Sequence, residues 1–199
     1  MNAVELYTDY KTKMQKIADV KYAAAVLQWD QETYLPTKGN HFRGRQLATL
    51  SELAHQQFTT DSIGALLNEL NSKDNLPYTE KRNVELSLED YNRNKKLSSD
   101  FVRKMSEAVT TSYHAWVKAR NDNSFAGFQQ PLHTLIELKK AEADMLGYQT
   151  HPYNALMNDY DKGLTVATVD AIFSDLKPQL LTLLDSIKNK SQVDRKSVV

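Results

Sequence analysis

Apolar side chains recur at steps of three and four residues along most of this chain, and the alternating Val/Ile runs that would suit strands are missing. Tyr7, Tyr10, Met14, Ile17, Ala18, Lys21, Ala24 and Ala25 share one face of a helix expected over residues 3–28. The small side chains of Ala23, Ala24 and Ala25 close that helix, and Pro36, which restricts Leu35 as well, makes residues 31–40 a connection. Asn40 is a good N-cap for a second helix that fades near Phe58 and buries Phe42, Leu47, Leu50, Leu53 and Ala54. Thr59, Thr60 and Asp61 offer caps for a short third helix with Ile63, Leu66, Leu67 and Leu70 inward.

The polar run 71–77 breaks the pattern as a surface loop. A fourth helix from Thr79 carries Val84, Leu88 and Tyr91, and the charges of residues 92–96 read as a solvated helix end. Ser98 or Ser99 caps a fifth helix striped by Phe101, Val102, Met105, Val109, Ser112, Trp116 and Ala119, with Trp116 in the core. Residues 121–130 form a connection whose Phe125 and Phe128 either plug the adjoining helices, the favoured reading, or mark an interface with absent chain. Pro131 opens a sixth helix through Leu132, Leu135, Ile136, Ala143 and Leu146, with Gly147 at its C′ position. A short helix follows His151 and Pro152 and ends near Tyr160. Thr165 caps the last helix, with Val169, Ile172, Phe173, Leu176, Leu180, Leu183, Leu184 and Ile187 inward and a kink at Pro178. The fold class is therefore all-α, an array of seven or eight helices forming a single domain over 1–190, with 191–199 a frayed tail.

Six Gly and five Pro among 199 residues agree with long uninterrupted helices. Twenty-five basic and twenty-five acidic residues cancel, so no basic field points to nucleic acid or an anionic membrane. The N-terminal stretch carries Glu5 and Asp9 and lacks the apolar run of a signal or a membrane anchor. With no Cys there is neither a disulfide nor a Cys-ligated zinc, and the expected compartment is the cytoplasm.

The five histidines are His41, His55, His114, His133 and His151, and no two stand four apart, so the H-E-x-x-H pattern of a helical zinc site is absent. His133 and Glu137 lie one helical turn apart and could share a metal, but two ligands are too few. Asp30 and Glu32 beside Trp29, and Asp159 and Asp161 around Tyr160, read as local structural acids rather than acid/base pairs. The residues themselves support no catalytic mechanism, and no catalytic or metal-ligating residue is assigned.

Three blocks nevertheless resemble one family, in its order and over nearly the whole chain. LQWDQETYLP followed by RGRQLATLSELAH, then ARNDNSFAGFQQPLHTLIELKKAEADMLGY, then HPYNALMNDYDKGLTVATVDAIFSDL are similar to the N-terminal region of the M32, or carboxypeptidase Taq-like, zinc metallocarboxypeptidases. The resemblance implies the N-terminal part of a larger zincin-like fold, in which these helices wall a cleft that admits the C-terminal end of a peptide substrate. It further implies a zinc centre, with a zinc-activated water and a Glu base, in the remainder of the enzyme, so that no zinc is bound by this chain and the chain is inactive alone. Trp29 and Asp30 are the candidates for lining the cleft. The expected partners are the missing catalytic half or a second copy, since the family forms homodimers. A stand-alone, non-catalytic helical interaction module is the alternative, and an independent hydrolase built on His133 and Glu137 is a third reading.

Overall fold

The computed structural model describes residues 2–190, and the expected frayed tail lies outside them. Among the described residues there are eight α-helices and no strand. Contacts divide the chain into two compact units, Met1–Leu146 and Gly147–Val199. The first holds α1 (Ala3–Thr33), α2 (Asn40–Phe58), α3 (Asp61–Asn71), α4 (Tyr78–Asn94), α5 (Ser99–Asn121) and α6 (Ala126–Leu146); the second holds α7 (Tyr153–Met157) and α8 (Val166–Lys188).

Local chemistry sets most helix ends. Asn2 and Glu5 form a reciprocal capping box at the start of α1. Thr60, Ser98 and Thr165 cap α3, α5 and α8, each hydroxyl accepting from the backbone N–H three residues on. Gly147 follows α6 with φ of 77°, the left-handed conformation that a glycine adopts without strain.

The prolines act later than expected. α1 runs through the three alanines and Trp29 to Thr33, because Pro36 excludes helical backbone only at Leu35; the N–H groups of Tyr34 and Leu35 both close on the Asp30 carbonyl, at 3.0 and 2.9 Å. A single 3-10 turn, Thr37–Gly39, then feeds α2, so Gly39 occupies the cap position and Asn40 is already helical. α6 likewise begins five residues ahead of Pro131, which lies inside it. The Phe125 carbonyl accepts from the N–H groups of Phe128 and Gln129, and these bonds build the first turn before the proline removes a donor.

One core unites α1, α3 and α4. Leu6, Tyr7, Tyr10 and Ile17 of α1 meet Phe58, then Ile63, Leu66, Leu67 and Leu70 of α3, and Val84 and Tyr91 of α4. The two tyrosines keep their hydroxyls satisfied within it. Tyr10 pairs with Ser87 Oγ at 2.8 Å, and the Asn83 amide donates to the Tyr7 hydroxyl at 3.2 Å. Gly64 lets Tyr91 lie against the α3 backbone, where an added Cβ would come within 2.6 Å of the ring carbon Cζ. Gly44 does the same for α2 against Thr110 of α5, 3.0 Å from the position of an added Cβ. Across that second seam Arg103 donates to Glu52 at 2.8 Å, and on the other side of α5 Ser112 donates to the Pro131 carbonyl of α6 at 3.2 Å.

Several apolar residues expected inside lie outside. Phe42 and Leu53 of α2, Val109 and Trp116 of α5, and Phe125 are exposed; Phe125 only edges against Phe128, at 6.2 Å between ring centres. Every large apolar side chain of α8 from Ile172 to Ile187 is exposed as well. Periodicity identifies the apolar side of a helix, and only a covering neighbour makes it core. Lys95 and Lys96 depart from expectation in the opposite sense. Lys95 donates to the Thr59 carbonyl and Asp61, and Lys96 to the Leu146 carbonyl at 2.6 Å, so both close helix C-termini instead of lying free in solvent.

His55 is buried at the end of α2, with Nε2–H donating to the Leu97 carbonyl at 2.9 Å. Burial holds its pKa below the ordinary imidazole value, the Leu97 carbonyl opposes that shift, and the charge of Lys21 adds to it. Because the depressed value belongs to the folded state, the stabilisation is complete above the unfolded pKa and is lost as pH falls through the folded one. Urea unfolding is therefore expected to show declining stability on acidification below about pH 6.5, with His55→Gln flattening that decline; an unchanged slope would contradict the assignment. Gly64→Ala is expected to cost about 1–3 kcal/mol despite the better helix propensity of alanine, because Tyr91 must move. The urea midpoint measures this, and an unchanged or raised midpoint would show that the close approach is dispensable.

Candidate functional site

The end of α1, the 3-10 turn and the start of α2 bring the sequence candidates together with residues that spacing did not single out. Trp29 is 57% exposed and stands edge-to-face with Tyr34, ring centres 5.5 Å apart. Tyr22 and Val26, at helical spacing behind it, are exposed too, so the second half of α1 presents an apolar strip to solvent. Asp30 is engaged. Its carboxylate pairs with Arg43 at 2.6 Å, and the same guanidinium nitrogen donates to the Leu27 carbonyl at 2.7 Å. With its side chain only 12% exposed, Arg43 pins the last turns of α1 to the first turn of α2. Glu32 instead accepts from Gln28 at 2.6 Å, so the two acids do not act as a carboxylate pair.

Two recesses adjoin this corner. One, about 600 Å³, lies between the α1 end and α5, and its walls include Gln31, Leu35, Tyr113 and His114. The other, about 450 Å³, lies between α2 and α5 and is lined by His41, Arg45, Glu107 and Thr110 among others. Asn40 and His114 belong to both walls. Burial lowers the pKa of His114, which favours a neutral ring. Sequence reading missed Gln31, Arg43 and His114, since the Arg43 pairing crosses from one helix to the next and Gln31 and His114 meet one recess from helices distant in the chain.

The remaining candidates stay apart. His133 and Glu137 are both exposed on α6, and the Glu137 carboxylate pairs with Lys140 at 2.8 Å, which holds its pKa below the usual range. Tyr160 lies in the turn beyond α7, which ends at Met157 and not near Tyr160 as expected, and it is 92% exposed, with Asp159 and Asp161 exposed on either side. Among the described residues no group of three or more His, Cys, Asp or Glu converges so as to hold a metal ion. The donors here do not fit a zinc centre. No helix among the described residues is long and apolar enough to cross a membrane.

The geometry thus defines a helical scaffold with an exposed aromatic strip and a polar corner. The profile of the carboxypeptidase Taq (M32) metallopeptidases matches residues 9–199, and the chain belongs to this family. Thermostable carboxypeptidase 1 of Pyrococcus furiosus is 30% identical over 183 residues, which cover 92% of this chain and 37% of that protein. The crystal structure of BsuCP superposes with a TM-score of 0.90 at 27% identity, covering 94% of this chain and 38% of that one. The structure of a protein called CHT is 50% identical, with a TM-score of 0.78 over 96% of this chain and 39% of its own. The chain spans little more than a third of the length of these relatives and corresponds to their N-terminal part.

The Asp30–Arg43 clamp yields a direct prediction. Arg43→Met is expected to cost about 1.5–3 kcal/mol, since it leaves the half-buried Asp30 carboxylate without its donor. Amide hydrogen exchange should accelerate at residues 28–40 more than in the α1–α3–α4 core; uniform acceleration, or none, would remove the clamp from the account.

Proposed function

We propose that this chain is the substrate-admitting helical part of an M32-type carboxypeptidase that removes C-terminal residues from peptides, with the zinc held by residues outside this chain. The observation that carries the reading is the match of residues 9–199 to a family of metallopeptidases of which the chain covers little more than a third. Trp29 supports a place at the cleft through its exposure, at the end of the strip that begins with Tyr22. Asp30 serves there by holding that turn through Arg43. The exposed apolar side of α8 supports association with the rest of such an enzyme or with a second copy. The lack of cysteine accords with a cytoplasmic setting.

The test is hydrolysis by the purified chain. Supplied with zinc and an N-blocked peptide, it is expected to release no C-terminal amino acid and to retain no stoichiometric metal after dialysis. Chelator-sensitive release would contradict the proposal and revive the His133 and Glu137 reading.

A further inference from the structure

Among the described residues, three buried side-chain polar atoms lack a hydrogen-bond partner, and all three lie at the corner between α1 and α5: Gln31 Nε2, Gln31 Oε1 and His114 Nε2. Gln31 is only 5% exposed. An unpaired buried carboxamide is costly, and native proteins rarely leave both its donor and its acceptor unused. Both residues line the recess of about 600 Å³, and His114 also lines the adjoining one.

The surroundings define what the corner would accept. Lys118 is paired with Asp122, Glu107 with Arg103, and Arg45 lies over the Phe42 ring at 5.5 Å. Among the described residues lining the larger recess the one Lys or Arg, Lys118, is paired, while Arg45 belongs to the other recess, so nothing in the larger one singles out a carboxylate, and His114 favours its neutral form. The recess presents that planar amide and an imidazole nitrogen beside the polar side chains of Thr37, Asn40 and Asn121 and the apolar ones of Leu35, Ala115 and Val117. A residue of extended main chain presents its own N–H and C=O on the same edge, the matching donor and acceptor.

We propose that the recess beside Gln31 and His114 binds the main chain of an extended peptide, away from its charged C-terminus. The Gln31 carboxamide turns into the recess it lines and exchanges two hydrogen bonds with the N–H and C=O of one extended residue, while His114 Nε2 pairs with the main chain of a neighbouring residue. This deepens the proposed function by naming the interior of the peptide substrate as what this region holds, and its test requires neither zinc nor turnover, so its failure leaves the family reading intact.

The probe is N-acetyl-tetraalanine methylamide, titrated into the isotopically labelled 199-residue chain and followed by NMR. Saturable shifts are expected at the Gln31 side-chain amide and the His114 ring, and the same peptide with a free C-terminal carboxylate should bind within about twofold. Gln31→Met is expected to weaken binding by about tenfold or more, yet to raise the urea midpoint, because it removes an unpaired buried amide. His114→Phe, with a smaller loss, provides the same comparison if Gln31→Met fails to fold. Absence of saturable shifts at millimolar peptide, wild-type affinity in both variants, or a strong preference for the free carboxylate would each overturn the proposal. A lowered urea midpoint for Gln31→Met would do so too, since the amide would then be serving the fold.

Discussion

A helix is held in place by whatever covers its apolar side, and the helices of this chain meet that requirement unequally. Around α3 it is met in full: Leu67 and Leu70 of α3 and Val84 of α4 lose all or nearly all of their exposure among the tyrosines of α1. On α8 it is not met, since Ile172, Phe173, Leu176, Leu180, Leu183, Leu184 and Ile187 each keep 40% or more of their surface open. Burying such side chains stabilises by about 1.5–3 kcal/mol each, so a stripe of this length is a strong drive toward association. The second half of α1, with Tyr22, Val26 and Trp29 outward, carries a weaker form of the same imbalance.

This contrast explains which parts of the structure were legible in the sequence. Helix caps and the glycine stop follow from chemistry within a few residues: Thr165 and Gly147 stand as read, and the structure selects Thr60 among the three caps offered for α3 and Ser98 over Ser99 for α5. Helix class and order follow from the period of the apolar positions. Burial does not, because the same spacing places Leu67 inside and Leu180 outside, according to which other elements are present. Proline misled for a related reason. Its effect falls on one donor and one neighbouring residue, so α1 could run up to Pro36 and α6 could start ahead of Pro131.

The polar corner was the least legible part. The motif containing Trp29 and Asp30 drew attention to this turn of the chain, and the partner that engages Asp30, Arg43, comes from the next helix. Gln31 and His114 lie 83 positions apart in numbering, and no spacing rule joins them; they come to line one recess because α1 and α5 both pack on α2. The family resemblance added what no local pattern held, namely that the chain corresponds to the N-terminal part of longer M32 metallopeptidases.

The central claim is that α8 carries an interface, and sedimentation velocity of the 199-residue chain against a variant carrying Phe173→Lys and Leu180→Lys tests it most directly. The account predicts that the unaltered chain self-associates as its concentration rises, whereas the variant remains monomeric with its helical circular dichroism intact. A wild-type chain that sediments as a single monomer throughout, with no binding of a hydrophobic dye, would contradict it.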